Sequence, residues 1–395
     1  VPWLLRMTLW VSLLMMPAVL YLLWRFFVSG RKLFGDTSGG RFVLPIVLCS
    51  FYLFPFIASM DFYISGGIDV LKYPKVLTYW FWGGLVFVFQ LATWVLVSDG
   101  LKSLIRLFAG RKKQVEHIHS RVLLLLFVLV FCYTGWKTYR DTTHVVVEEI
   151  TLPVDDLPVS LQGFTIAHIS DIQGDEYTGQ QDIASYIKQL NQQHPDLIIF
   201  TGDLISYGTD FIEMSARELG KAKAGYGVFA VVGDHDYWAG TAEVEKALHQ
   251  NGIRLLRDEN KVIPIGGGTA SAVISGITQV YSKRSSAAVV DSLFQDGKKA
   301  SLKIAASHQV ADHLIAGAKG HDYDIMLAGH THGGQIRVPF LGMNFSASER
   351  ETKYVSGLYW EDALPVVVNN GLGFTLGPIR YDAPPTITLV RLQKK

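Results

Sequence analysis

At 395 residues, with 49% hydrophobic and only 18% charged side chains and a mean hydropathy of +0.24, the chain is too apolar for a wholly soluble protein. A formal net charge of +1 gives no electrostatic footprint for nucleic acid. The only two cysteines, Cys49 and Cys132, exclude a disulfide framework and lie in apolar runs that do not report a redox compartment.

Residues 7–24, 43–60, 77–97 and 122–136 are almost continuously apolar. A helix needs about 20 such residues to cross a bilayer, so residues 1–140 are predicted to be an all-α transmembrane region of about four helices. The last run is short, but Tyr133, Trp136 and Tyr139 follow it as an interfacial belt, and Lys137 and Arg140 can snorkel. Pro17, Pro45 and Pro55 are tolerable in such helices. Apart from these prolines the spans show no buried charge of the kind that marks a transport pathway. The first connection carries Arg25, Arg31, Lys32 and Arg41, and the third carries Lys102, Arg106, Arg111, Lys112, Lys113 and Arg121. The second has only Lys72 and Lys75, offset by Asp61 and Asp69. The positive-inside rule then puts the first and third connections in the cytoplasm and everything after residue 140 outside.

A connector, 141–160, contains the strand pattern Val145 to Leu152, expected at a sheet edge. Beyond it, apolar strand runs alternate with helical patterns over 180–193, 210–223, 241–250 and 310–319. From residue 253 short strands dominate, with Gly266-Gly267-Gly268 as a turn. Five apolar runs end on polar segments: Ser170-Asp171-Ile172-Gln173, Thr201-Gly202-Asp203, Gly233-Asp234-His235-Asp236, Ser307-His308 and Gly329-His330-Thr331-His332-Gly333-Gly334. Acids and imidazoles thus sit just past the carboxyl ends of predicted strands, where open α/β folds place ligand sites. Such a set suits two divalent ions about 3.5–4 Å apart that share one carboxylate, and Asp203 is the natural bridge. A water shared by two such ions loses a proton near neutral pH and attacks phosphorus, while His235 is best placed to protonate the leaving oxygen. The isolated His168, His249 and His321 read as structural or solvated.

These segments resemble the calcineurin-like metallophosphoesterase superfamily, and within it the membrane-associated YkuE-like branch, over roughly residues 143–393. The likeness extends to Leu157-Pro158, Leu161, Gly163, Gly357-Leu358-Tyr359, Asn369 to Gly373 and Pro384-Pro385. It implies an α+β four-layer αββα metallophosphoesterase sandwich over 141–395. It also implies a first metal site at Asp171, Asp203 and His332, a second at Asp203, Asp234, His308 and His330, and His235 as the catalytic histidine. Two positions depart from the family pattern. Gln173 stands where an imidazole is usual, and Asp234 where a neutral amide is usual, yet both remain oxygen donors that can reach a metal. With three carboxylates the cluster loses about one unit of positive charge, so Mn²⁺ or Mg²⁺ should gain relative to Zn²⁺, with Fe²⁺ also within range. Asp236 is expected to orient His235. Arg337 and Arg380 are expected to clamp substrate phosphates, because guanidinium forks fit phosphate oxygens.

Spans and resemblance together imply a membrane-anchored, metal-dependent phosphohydrolase of a bacterial inner or plasma membrane. It would hydrolyse phosphomonoester, phosphodiester or diphosphate bonds, with membrane lipids as partners, a phosphorylated lipid or lipid-linked phosphate as substrate and no nucleic acid. Two alternatives stay open. One is a UDP-2,3-diacylglucosamine-type diphosphatase, expected on the cytoplasmic face; the other is a catalytically silent membrane sensor or binding module. The loops at 174–179, 206–212, 279–290 and 338–352 are the expected specificity elements. In the last of them Phe340, Leu341, Met343 and Phe345 form an apolar cluster that reads as core, as a bilayer-dipping tip or as an acyl-chain site.

Overall fold

The computed structural model describes residues 3–36, 38–66, 73–108, 112–340 and 343–395. Asp69, Lys72, Arg111 and Leu341 lie outside the described residues, and Lys112, Phe340, Met343 and Phe345 are described in their backbone alone. The chain divides into two compact units. One comprises Val1–Thr142 together with Ile336–Ser346 and Leu376–Asp382, and the other holds the rest. The expected boundary after residue 140 is therefore close to the observed one, but two later segments expected in the phosphoesterase domain fold with the helices instead.

The helical unit contains α1 (Trp3–Phe34), α2 (Val43–Ser50), α3 (Leu53–Ser65), α4 (Lys75–Phe108) and α5 (Lys112–Thr143). Three of these, α1, α4 and α5, are each long and apolar enough to cross a membrane. The second expected span is a pair, α2 and α3, bent by 53°. Pro55 explains the bend, since it sits in the first turn of α3, where a missing N–H is tolerated but a continuous helix would lose a bond. Contacts within the unit fix the helix directions. Near the carboxyl ends of α1 and α4, Tyr21 donates to Asp99 at 2.6 Å and Arg25 pairs with the same carboxylate. Near the start of α5, His119 lies 3.2 Å from Asp99 and Glu116 lies 2.7 Å from Lys32. Helices α1 and α4 thus run parallel, and the bent pair must carry the chain back between them. Consistent with a traverse, Tyr52 reaches the Ser12 carbonyl at 3.1 Å and Tyr73, just before α4, reaches Asp61 at 2.6 Å. The two basic connections consequently meet at one end of this unit.

The returning segments are built into the same core. A short hairpin, β12 (Val338–Phe340) with β13 (Met343–Phe345), follows Ile336, and Ile379 and Tyr381 are buried with Phe81, Trp82 and Phe87. Tyr381 accepts a hydrogen bond from Gln90 of α4. Gly377 packs so closely on Trp82 that an added Cβ would fall 2.5 Å from the indole.

The second unit is a four-layer αββα sandwich. Its first sheet has the order β1 (Val146–Val154), β16 (Thr386–Lys394), β2 (Thr165–Ile169), β3 (Leu197–Phe200), β4 (Val228–Val231), β5 (Arg254–Leu256). The second runs β14 (Gly357–Glu361), β15 (Leu364–Val368), β11 (Ile325–Ala328), β10 (Leu302–Ser307), β7 (Ala270–Ile277), β6 (Glu259–Ile265). The central strands are parallel and buried on both faces, which is why they read as unbroken apolar runs. Period-two alternation sorts their side chains. Ile166, Leu197, Ile199, Phe229, Val231, Ile304 and Ala306 fill the space between the sheets. Ala167, Ile198, Phe200 and Ala230 face α6 (Gln180–Asn191), α7 (Ile212–Leu219) and α8 (Asp234–Gln250). On the other side, α9 (Ala287–Gly297) and α10 (Asp312–Gly320) cover Ala305, Met326 and Val366. The edge strand expected from Val145 is β1, paired in parallel with β16.

Two helical readings need correction. Helix α8 begins at Asp234, not at residue 241, because the chain becomes helical at once after Gly233 and is interrupted only at Gly240, where φ is 122° and ψ 101°. Helix α9 falls in a stretch read as strands; Val290, Leu293 and Phe294 have helical spacing, and Ser286 caps Val289 at 3.3 Å.

Candidate metal centre

Five strands deliver the polar segments to one edge of the sandwich. Asp171 follows β2, Asp203 follows β3, Asp234 follows β4, His308 follows β10 and His330 follows β11. Each chain must turn sharply there, and the backbone records it: Asp171, Gln173, Asp203, His330 and His332 have φ of 49°, 51°, 60°, 73° and 51°. Non-glycine residues in this left-handed region cost about 1–3 kcal/mol each and persist where the surroundings impose them, commonly at functional sites. Two glycines make room. A Cβ on Gly233 would lie 2.1 Å from Asp203 Oδ1, and one on Gly329 would lie 1.8 Å from the Ser170 hydroxyl.

The side chains converge tightly. Ligand atoms of Asp234, His308 and His330 lie within 4.8 Å of one another, and so do those of Asp171, Asp203 and His308. His308 Nε2 stands 3.3 Å from both Asp203 Oδ2 and Asp234 Oδ2, which makes it common to the two groups. His330 Nδ1 is 3.1 Å from Asp234 Oδ2, and His332 Nε2 is 3.3 Å from Asp171 Oδ1. Gln173 donates through Nε2 to Asp203 Oδ2 at 2.9 Å. The supports are equally specific. His308 Nδ1 meets the Thr201 carbonyl at 2.7 Å, a bond that aims Nε2 at Asp203 and Asp234. Asp203 Oδ1 accepts the His235 backbone N–H at 2.8 Å, Asp234 Oδ1 accepts that of Tyr281 at 2.6 Å, and Asp171 Oδ2 accepts that of His330 at 3.0 Å.

This concentration of charge shifts the groups. Burial opposes ionisation of Asp171 and Asp234, yet the neighbouring imidazoles hold both carboxyls well below the usual range. His308 is raised well above its ordinary value by Asp203 and Asp234 despite complete burial, and His330 is pushed up to about 9 by Asp234 and Glu351. Protonated imidazoles here stand in for cations among the carboxylates. Three deeply buried atoms, Asp171 Oδ1, Gln173 Oε1 and His308 Nε2, have no hydrogen-bond partner. Buried polar atoms are otherwise almost always satisfied, and a cluster of two oxygens and an imidazole nitrogen facing one space fits divalent metal ions.

His235, second residue of α8, is partly exposed and packs its ring on Trp238 at 5.1 Å. Its Nδ1 meets the Ser206 carbonyl, and Nε2 lies 4.0 Å from Asp203 Oδ2. The expectation that Asp236 orients His235 is not met. Asp236 accepts the backbone N–H groups of Asp203 and Leu204, both at 2.8 Å, and of Gly233 at 3.0 Å, so its carboxylate pins the β3 loop to the start of α8. Burial, with Asp203 nearby, raises this carboxyl to about 6. Arg337 and Arg380, expected to clamp substrate phosphates, both belong to the helical unit, and Arg380 is fully buried.

Sequence reasoning named the loops 279–290 and 338–352 but singled out none of the rim residues they carry. Glu351 Oε1 lies 3.1 Å from His330 Nε2 and also takes the Tyr281 hydroxyl. Tyr281 stacks on Trp238 with centroids 6.5 Å apart. Gln309 donates to Asp234 Oδ2 at 2.7 Å. Adjacency to His308 was a usable signal for Gln309; nothing local marks Glu351.

Residues 164–334 match the family model for calcineurin-like phosphoesterases. The chain is 28% identical over 269 residues to the uncharacterized metallophosphoesterase YkuE of Bacillus subtilis, covering 66% of this chain and 89% of that protein. It is 27% identical over 277 residues to YkoQ of the same organism, covering 68% and 97%. It is 26% identical to a transmembrane protein with metallophosphoesterase domain from Danio rerio, covering 69% of this chain and 62% of that one.

Proposed function

From a calcineurin-like metallophosphoesterase domain over residues 164–334, carried behind helices apolar enough to span a membrane, we propose a membrane-anchored phosphohydrolase with a two-metal centre that acts on a phosphorylated lipid or lipid-linked phosphate. The observation that carries this reading is the convergence of Asp171, Asp203, Asp234, His308 and His330, with ligand atoms within 4.8 Å of one another in each of two groups. Asp171, Gln173, Asp203 and His332 would hold one ion, and Asp203, Asp234, His308 and His330 the other. Such ions supply Lewis acidity and a nucleophile at neutral pH. Mn²⁺ is the favoured ion, because oxygen donors outnumber imidazoles.

The protein's own groups do the rest. The amino-terminal pole of α8 lies at this edge of the sandwich, where its dipole favours a phosphoryl oxygen. Nδ1 of His235 donates to the Ser206 carbonyl, which turns Nε2 to the site; in the doubly protonated ring Nε2 would deliver its proton to the leaving oxygen and remain as the neutral imidazole. Anchoring by the helices would hold the site near headgroups and raise the effective concentration of a lipid substrate. The abundance of basic residues in the first and third connections supports an extracytoplasmic catalytic unit in a bacterial inner or plasma membrane. The third connection alone decides this side, since only α5 separates it from the catalytic unit.

The test is hydrolysis of bis-p-nitrophenyl phosphate and of phospholipid micelles by the detergent-purified full chain, chelated and then resupplied with Mn²⁺, Mg²⁺, Fe²⁺ or Zn²⁺. Metal-dependent turnover that disappears in His235→Ala is expected. No turnover of either substrate with any ion would overturn the proposal. A carboxyl-terminal alkaline phosphatase fusion should be active; an inactive fusion beside a bright cytoplasmic reporter would place the unit on the other face.

A further inference from the structure

Beside His330 the catalytic unit encloses a cavity of about 300 Å³, whose walls include Gln279, Tyr281, Arg284, Glu351 and Thr352. That is the lower range of small-molecule sites, and polar and apolar groups share this wall about equally, Val310, Ala311 and Tyr354 standing beside the polar residues. A long acyl chain would desolvate those polar groups without satisfying them. The unused hydrogen-bonding capacity is more telling. Gln279 is only 3% exposed, and its Oε1 has no hydrogen-bond partner. Glu351 spends Oε1 on Tyr281 and His330, which leaves Oε2 as a second acceptor in a side chain that is 41% exposed. Arg284 makes no ion pair among the described residues and supplies guanidinium donors on the same wall. Two acceptors that need donors, beside one cation, match hydroxyl groups on an anionic molecule.

We propose that this cavity is the headgroup subsite and selects a phosphate ester bearing a short polyol, of the glycerol or sugar type, with hydroxyls on Gln279 and Glu351 and an anionic oxygen on Arg284. The inference rests on the phosphohydrolase reading above and deepens it by naming the part of the substrate that lies next to His330. The same chemistry occurs in a lipid headgroup and in its deacylated, soluble form.

Binding tests the subsite without requiring turnover. Calorimetry on the full chain in detergent, in a His235→Ala background with Mn²⁺, compares sn-glycerol 3-phosphate with methyl phosphate. Glycerol 3-phosphate should bind at least about tenfold more tightly, the worth of one good hydrogen bond to a charged or buried partner. Gln279→Met should erase most of that preference, whereas Arg284→Ala should weaken both phosphates and leave the preference in place. Gln279→Met should also raise the melting temperature, because it removes a buried acceptor left unpaired in the free protein. Equal affinity for the two phosphates, binding of neither, or a preference untouched by Gln279→Met would overturn the subsite. Turnover of bis-p-nitrophenyl phosphate by the unsubstituted protein reports separately on the phosphohydrolase reading. Faster cleavage of phosphatidylglycerol in mixed micelles than of glycerophosphoglycerol would assign the polyol to a lipid, and the reverse to a soluble ester.

Discussion

The two units treat buried charge in opposite ways. In the helical unit buried ions of opposite sign are matched: Arg25 with Asp99, with Tyr21 and His119 around it, and Lys137 with Asp141 at 2.8 Å and Asp382 at 3.1 Å. These pairs sit near the ends of the helices, just beyond the apolar runs, so the spans carry few charges and spend them on holding helices together. In the catalytic unit Asp171, Asp203 and Asp234 crowd within one space, on strained backbone, with acceptor atoms left over. Neutralised charge marks scaffolding, whereas concentrated and incompletely answered charge marks a site waiting for cations.

Substitutions should separate the two. The largest effect is expected for Asp203→Ala, which removes the carboxylate proposed to bridge the two ions: metal-dependent hydrolysis should fall by about 10³-fold or more while helical circular dichroism is unchanged. Retention of even a tenth of the activity would break the assignment of Asp203 as the bridge. Next, Arg25→Ala leaves Asp99 with Lys102 at 3.3 Å, Tyr21 and His119, so the loss should stay below the roughly 3 kcal/mol of a fully broken buried pair. The melting transition of the helical unit should drop, with turnover of bis-p-nitrophenyl phosphate preserved at low temperature. Turnover that fell in step with the melting transition would show the contrast between scaffold and site to be too simple.

Asp236→Asn should come third. The amide can accept for only part of the three N–H groups now held by the carboxylate, and the new NH₂ faces a donor. A loss of about 2 kcal/mol in stability, with weaker metal binding, is expected. The acid limb of the pH–rate profile should stay in place, because the His235 ring is oriented by the Ser206 carbonyl. A shifted limb would return Asp236 to the role expected from sequence.

The candidate ligands were legible because the polar segments that carry them end apolar strand runs, a pattern that needs no knowledge of the fold. The four layers came from the family resemblance, with which the alternation of strand runs and helical patterns agrees. Asp236 was misread because its partners, the N–H groups of Asp203 and Leu204, lie on a loop 32 or 33 residues away. That residues 376–382 fold with the helices was not legible, because it is a tertiary choice that leaves no local mark. The break between α2 and α3 was half-written in Pro55, yet the apolar run across it is continuous, and hydropathy does not register a bend.

The smallest effect expected is also the most specific to this chain. The Gln173 amide is divided in its duties: Nε2 holds Asp203 Oδ2 at 2.9 Å, and the buried Oε1 is left without a partner. An imidazole at this place can offer a nitrogen to a metal but loses either that offer or the bond to Asp203. His330 and His332 already occupy the left-handed backbone conformation that Gln173 adopts, so Gln173→His meets no new strain of that kind. Replacing an oxygen donor by nitrogen should move the ratio of Zn²⁺ to Mn²⁺ affinity by about tenfold toward zinc, with only a modest loss of turnover. Competition dialysis reads this ratio directly, and Gln173→Ala supplies the control. Were Gln173→Ala to bind Mn²⁺ as tightly as the native chain, the orphaned oxygen would not be a ligand. The contrast between units would then rest on the three carboxylates and the imidazoles alone.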